Sequence, residues 1–182
     1  MAEQLFITSV TLKKHTVIDG SVDADKIMQH IFNAQVIHIR NLLGQDLYER
    51  LQNGIVASDL TSAETTLIDD YVQMTLVHYA AAEYFTFARY NAAQGGVFAH
   101  QPDNAVILSK EDVDDLVKKE RSNAEYFATR LIDFLCDNQS DYPQYSSNTG
   151  TDIRPAASIW RTGSWFMGRP VSTKNDWRID EV

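Results

Sequence analysis

Residues 58–88 have the sequence SDLTSAETTLIDDYVQMTLVHYAAAEYFTFA. Thr61 and Glu64 have the spacing of a capping box, in which each side chain accepts a hydrogen bond from a free backbone amide at the start of a helix. Apolar residues then recur every three or four positions, which predicts one long helix from Thr61 to about Ala93. Further apolar residues widen this stripe, so we expect the helix to be buried on more than one side. The stripe consists of Leu67, Tyr71, Met74, His78, Ala81, Phe85 and Ala88.

Upstream of this stretch, the same periodicity predicts two more helices. The first follows a capping residue, Ser21 or Asp23, and ends at Gly44, where we expect a glycine with left-handed backbone angles. The second is shorter and has Asp46 in its first turn, where the helix dipole favours an acid. Residues 53–54, Asn-Gly, predict its end.

Downstream, Ser109 predicts the start of a last helix with several acids in its first turns, and Asn138 marks its end. Residues 106–108, Val-Ile-Leu, are too few for a helix and predict a strand. The predicted fold class is therefore mainly α: a helical bundle with a short N-terminal strand segment and an extended C-terminal arm.

Three regions follow from this pattern. Residues 1–22 are an N-terminal extended segment, because loosely alternating β-branched residues favour one or two short strands. Residues 23–141 form the helical domain. Residues 142–182 form an extended aromatic arm, since no helical or strand period continues there. This arm contains three of the four prolines and all three tryptophans.

Composition excludes several classes of protein. The 182 residues are 44% hydrophobic and carry a formal charge of −9, which fits a globular chain and opposes a protein that grips nucleic acid with a basic face. The single Cys136 cannot form an internal disulfide, so a reducing compartment is expected. No signal peptide or membrane-spanning stretch is visible, so we expect a soluble protein.

No catalytic or metal-binding signature stands out. The five histidines form no His-Glu-x-x-His or His-x-x-x-His pair, and buried or interface histidines are expected instead of zinc ligands. Asp69, Asp70 and Glu83 lack the Glu-x-x-His partners of a di-metal site and predict a solvated or pore-facing surface. Neither a nucleophile elbow nor a phosphate-binding loop occurs. We expect no enzyme activity, metal or cofactor.

The arm combines aromatic anchors, arginines and glycines, which are typical of a binding segment. Two interpretations remain open: the arm folds back on its own bundle, or it docks on a neighbouring subunit or partner. From residue 151 onward five basic residues face four acids, whereas residues 61–150 hold fourteen acids and six bases, so the charges of arm and body are complementary. The predicted interface residues are Trp160, Arg161, Trp165, Phe166, Arg169 and Trp177.

Residues 39–48, Ile-Arg-Asn-Leu-Leu-Gly-Gln-Asp-Leu-Tyr, precede a long helix rich in Tyr and Ala. This layout resembles the head–tail connector proteins of tailed bacteriophages, also called adaptor or head-completion proteins. It is especially similar to versions in phages of Bacteroidetes, including the crAss-like group, where they are named ring proteins. The residues that carry the resemblance are Leu42, Leu43, Gly44, Asp46, Leu47 and Tyr48.

The resemblance implies a structural virion protein at the head–tail junction, assembled in the host cytoplasm and bound to no membrane. It implies a homo-oligomer, a dodecameric ring, which contacts the portal protein above and tail or further ring proteins below. Genomic DNA would pass through this channel without specific binding. Because acids repel phosphates, we expect acids of residues 61–141 to line the bore.

A different class of function stays open beside this one. A helical regulatory or small-ligand-binding domain without catalysis would place an apolar pocket between helices, near Tyr84, Phe85 and Phe127.

Overall fold

A computed structural model describes residues 3–18, 20–88, 90–93, 96–99, 109–147 and 153–155, with only the backbone given for 90–93, 96–99 and 147. The prediction of a mainly α-helical bundle is confirmed. The helices are α1 (Ser9–His15), α2 (Ala24–Ala34), α3 (Arg40–Leu43), α4 (Gln45–Ala57), α5 (Ser62–Thr66), α6 (Gln73–Phe87), α7 (Lys110–Asp137) and α8 (Pro143–Ser147). Two π-helical segments, Gln35–Ile39 and Leu67–Val72, join α2 to α3 and α5 to α6 without interruption.

The capping residues in the sequence correctly predict where helices α2, α5 and α7 begin. The Asp23 side chain accepts a hydrogen bond from the Asp25 amide at the start of α2. Thr61 and Glu64 form both hydrogen bonds of the predicted capping box, and Ser109 forms a second capping box with Asp112 at the start of α7. These interactions depend only on neighbouring residues, which is why the sequence predicts them well.

The N-terminal strand prediction is wrong. Thr8 accepts a hydrogen bond from the amide of Thr11 and thereby caps helix α1. The helix buries Leu12 completely in the core. Threonine favours β-strands, but Thr8 caps a helix here, and burial of Leu12 stabilises that helix.

The ends of two helices also differ from prediction. Helix α4 continues through Gly54, where a Cβ atom would lie 2.5 Å from a methyl carbon of Leu60, so this glycine serves close packing. The turn that ends α4 lies at Ser58, whose φ is 55°. Helix α6 ends at Phe87 and not near Ala93.

A short hairpin follows α6. Strand β1 (Tyr90–Ala93) pairs antiparallel with β2 (Gly96–Ala99), with Tyr90 opposite Ala99. The backbone groups of β1 therefore bond to the second strand instead of continuing the helix. The predicted strand at 106–108 lies outside the described residues.

Helix α6 lies at the centre of the bundle and packs against both α2 and α7. Its residues 75–78 and 80–82 are all buried, which confirms the prediction of burial on more than one side. The small side chains of Ala80, Ala81 and Ala82 permit this close approach of neighbouring helices.

The folded body also extends further along the chain than residue 141. Tyr142 and Tyr145 are both buried in the core, and the Tyr142 hydroxyl donates a hydrogen bond of 2.8 Å to the carbonyl of Ala63. Helix α8 packs against α4. Because these contacts join residues far apart in sequence, local periodicity does not reveal them, and a boundary at 142 places the start of the arm too early.

Candidate functional site

The resemblance motif forms the junction between α3 and α4. Leu43 and Leu47 are fully buried in the core, and Tyr48 is nearly so. Leu42 packs against the same core as a partly buried residue, and Asp46 lies in the first turn of α4. The motif thus fixes the angle between two helices that together support one face of the bundle.

Gly44 makes this junction possible. Its backbone angles are φ 76° and ψ 164°, a region that only glycine adopts without strain. The helix ends at this glycine with a positive φ, as predicted, but the ψ of 164° lies outside the left-handed helical region that was expected. Gly44 has no side chain to cap α4, so the first amide of the helix, that of Gln45, needs another acceptor.

The C-terminal part of the chain supplies that acceptor. The Gln45 amide donates a hydrogen bond of 3.0 Å to the carbonyl of Ile153. Pro155 lies against Gly44, where a Cβ atom would come within 2.7 Å of the proline Cδ. Residues 153–155 are thereby held at the helix junction.

The N-terminal segment is held on the same face by two glutamines. Gln35 accepts a hydrogen bond from the amide of Phe6 and donates one to the carbonyl of Gln4. Gln52 accepts from the Gln4 amide and donates to the Gln4 carbonyl. The glutamines bind backbone groups, as a neighbouring strand would, so they hold this segment irrespective of its side chains.

Tyr48 links the motif to this segment. Its hydroxyl accepts a hydrogen bond of 3.0 Å from Gln35 and donates one of 2.9 Å to the carboxylate of Glu3. Its ring packs edge-on against Phe6 at 5.6 Å between centroids. Burial raises the pKa of Tyr48 well above its ordinary value, so the hydroxyl stays a hydrogen-bond donor throughout the physiological pH range.

A cleft of about 320 Å³ opens beside Tyr48. Its walls offer one cation, two carboxylates, three amide side chains and an exposed valine. The Gln45 side chain donates a hydrogen bond to Glu49 across this wall. The lining residues are Glu3, Arg40, Gln45, Tyr48, Glu49, Gln52, Asn53 and Val56.

The sequence profile of DUF6712, a family of unknown function, matches residues 39–155. The chain belongs to the DUF6712 family. The matched region begins just before the Leu42–Tyr48 motif and ends at Pro155, so it includes both partners of the Gly44–Pro155 contact. No curated protein matches the chain, and no solved structure does so either.

In this DUF6712 chain, histidines link the central helix α6 to α7 and to the π-helical segment Gln35–Ile39. Nδ1 of His78 on α6 lies 2.7 Å from Oε2 of Glu120 on α7, and both side chains are buried. Nε2 of His38 lies 3.7 Å from Glu83, which is half-buried. Glu83 is thus half-buried beside a histidine and is less exposed than a solvated surface requires, whereas Asp69 and Asp70 are exposed, as expected for the predicted solvated or pore-facing surface.

Burial lowers the pKa of both His30 and His38, although the charge of Glu83 opposes the effect in each. His30 stacks on Phe87 and meets Tyr84 edge-on, and its buried Nδ1 atom has no hydrogen-bond partner among the described residues. Both rings are thus kept neutral by their surroundings near pH 7. Within the described ranges no group of three or more His, Cys, Asp or Glu side chains is arranged to hold a metal ion.

An ion cluster around the buried Glu64 supports the start of α5. Arg50 binds the carboxylate of Glu64 through two nitrogens, at 2.8 and 2.9 Å, and a third nitrogen contacts the Asp59 carboxylate at 2.9 Å. Glu64 also accepts a hydrogen bond from the Thr61 amide within the capping box. The cluster is fully engaged in joining α4 to α5, which indicates a structural role.

The aromatic residues named for an apolar pocket take part in packing. Phe127 stacks on His78 with 5.3 Å between ring centroids, and Tyr84 contacts both His30 and Phe85 edge-on. The described cleft lies next to Tyr48, and its lining combines polar side chains with apolar surface.

The six interface residues predicted in the arm lie outside the described residues. They are Trp160, Arg161, Trp165, Phe166, Arg169 and Trp177. No motif in the sequence predicts the roles of Gln35 and Gln52, the residues that hold the N-terminal segment. Gln35 offers one signal in retrospect, because a polar residue four positions after the buried Ile31 lies on the buried face of the helix and needs partners there.

None of the described helices combines the length and apolar character needed to cross a membrane.

Proposed function

We propose that this chain is a structural protein of a phage virion, forming an oligomeric ring between portal and tail as part of the DNA channel. The observation that carries the proposal is the Leu-Leu-Gly-Gln-Asp-Leu-Tyr stretch of residues 42–48, which resembles that of connector proteins. In this chain the same stretch is the junction at which the N-terminal segment and residues 153–155 are both held. It supports a role for this stretch as the anchor of both segments on one face of the body.

The surface of the helical body supports self-assembly. Several large apolar side chains are exposed to solvent, and apolar surface that is left open favours contact with other proteins. They lie on α1 and just after it, on α2 with its π-helical extension, and near the ends of α4 and α6, with one more on α7. These residues are Val10, Val17, Met28, Phe32, Ile37, Val56, Phe87 and Tyr126.

The charge distribution favours a surface that does not bind DNA tightly. Asp69, Asp70 and the acids at the start of α7 are exposed, and the whole chain carries −9. An acidic wall repels phosphates and leaves a duplex free to slide. We therefore propose that acids of residues 61–141 line the bore and that the chain acts without catalysis.

Native mass spectrometry with the portal protein of the same phage tests this proposal. We expect a ring of this chain, a dodecamer, bound to the assembled portal. The portal is included because we propose that the ring assembles on the portal. A chain that stays monomeric and unbound in the presence of assembled portal would count against the proposal.

A further inference from the structure

The cleft beside Tyr48 lies where the arm leaves the body. Gln45, which lines the cleft, is hydrogen-bonded through its amide to Ile153, and its neighbour Gly44 contacts Pro155. The chain continues from Pro155 for 27 further residues, 156–182. Any segment within these residues is thus tethered at the rim of the cleft, and the tether gives it a high effective concentration there.

The arm and the cleft have matching chemistry. Trp160 and Arg161 follow Pro155 by five and six residues, and five extended residues span about 17 Å. Val56, which is exposed, gives the cleft apolar surface for an aromatic ring. Glu3 and Glu49 outnumber the single cation, Arg40, while residues 156–182 contain four basic residues and three acids.

We propose that the cleft beside Tyr48 is the docking site of the same chain's arm, with Trp160 and Arg161 as the residues that enter it. Burial of the indole removes a large apolar group from water, and the carboxylates of the cleft meet the guanidinium group of Arg161. This contact belongs to the single chain and does not depend on the ring proposed above.

Tryptophan fluorescence tests the proposal without background, because all three tryptophans lie within residues 156–182. In the full-length chain, Trp165→Phe and Trp177→Phe leave Trp160 as the single reporter. We expect acrylamide to quench Trp160 several-fold less efficiently in the folded chain than in the same chain denatured by guanidinium. Its emission maximum shifts to the blue for the same reason.

A matched pair of valines locates the docking site. Val56 lies in the cleft and is 65% exposed, whereas Val17 lies outside it and is 74% exposed. We expect Val56→Lys to raise the quenching of Trp160 to nearly that of the denatured chain, and Val17→Lys to leave it unchanged. Because both valines are exposed, neither substitution disturbs the core, and circular dichroism verifies the fold.

Three results would overturn the proposal. Quenching of Trp160 in the folded chain equal to that in guanidinium means that the arm docks nowhere. If Trp160 stays protected from acrylamide in the Val56→Lys variant, the arm docks on another surface. Protection that grows with chain concentration assigns it to a neighbouring copy, whereas concentration-independent protection supports docking within one chain. The portal experiment above is unaffected by these outcomes, so the two proposals fail separately.

Discussion

Pro155 lies so close to Gly44 that a Cβ atom at Gly44 would come within 2.7 Å of the proline Cδ. The two residues are far apart in sequence, and the adjacent hydrogen bond from the Gln45 amide to the Ile153 carbonyl joins the same two segments. The glycine thus has two functions: it permits the turn between α3 and α4, and it leaves room for the segment that caps α4.

Substitution of Gly44 by alanine tests this relationship. We expect Gly44→Ala to lower the free energy of unfolding by about 1–3 kcal/mol, because the backbone angles there strain any residue with a Cβ atom. Denaturation by urea measures the change. Gly20→Ala is the control, since a Cβ atom at Gly20 would have nothing within 4 Å. Equal stability of the two variants would contradict the role assigned to Gly44.

Two truncations separate the capping segment from the arm. Deletion of residues 156–182 leaves the Gln45–Ile153 hydrogen bond and the Pro155 contact intact, so we expect the helical body to stay folded and to lose only the contribution of the docked Trp160 and Arg161. Deletion of 151–182 removes both contacts and costs about 1 kcal/mol more, the usual contribution of one hydrogen bond. Thermal melts followed by circular dichroism compare the two. Identical melting curves would show that residues 153–155 do not support the junction.

The buried pair of His78 and Glu120 holds α6 against α7. We expect Glu120→Ala to destabilise the fold by about 1.5–3 kcal/mol, because it leaves the His78 ring buried without its partner. The exposed pair Asp115–Lys118 is the matched control, and Asp115→Ala should cost less than about 1 kcal/mol. Urea denaturation of both variants measures the difference. A loss for Glu120→Ala as small as that for Asp115→Ala would refute the importance of the buried pair.

The stability of the body should depend on pH through its histidines. Burial holds the pKa of His30 and His38 below the ordinary value of 6.5. The unfolded chain therefore takes up protons more readily than the folded chain as the pH falls below about 6.5. Above that pH we expect these two histidines to leave the free energy of unfolding at its full value. Below that pH we expect the free energy of unfolding to fall progressively.

Urea midpoints measured between pH 7.5 and about pH 5 test this expectation. His30→Gln should flatten the pH dependence, because it removes one of the two buried rings. His15→Gln serves as a control, since His15 is exposed at the end of α1. A slope that His30→Gln leaves unaltered would exclude His30 as a source of the effect.

The sequence predicts the features of this fold that depend on nearby residues. Thr61 with Glu64, and Ser109, specify helix starts within a single turn, and Gly44 marks a turn that needs a positive φ. Thr8 shows the limit of this approach, since a threonine favours both strands and helix caps, and the buried Leu12 decides between them.

Long-range contacts explain what the sequence does not predict. The hydrogen bond from Tyr142 to Ala63 extends the body past residue 141, and the two glutamines meet the N-terminal segment only after the helices have packed. Such contacts leave no period in the sequence. The sequence does not predict the cleft beside Tyr48 for the same reason. Glu3 lies next to the other lining residues only in the folded chain.

Cryo-electron microscopy of intact particles of a phage whose genome encodes this chain is the most direct test of the proposed ring between portal and tail. We expect density at the head–tail junction into which copies of the helical body fit as a closed ring, with acids of residues 61–141 facing the bore. Particles that lack the protein, or a ring with a bore dominated by arginine and lysine, would contradict the account.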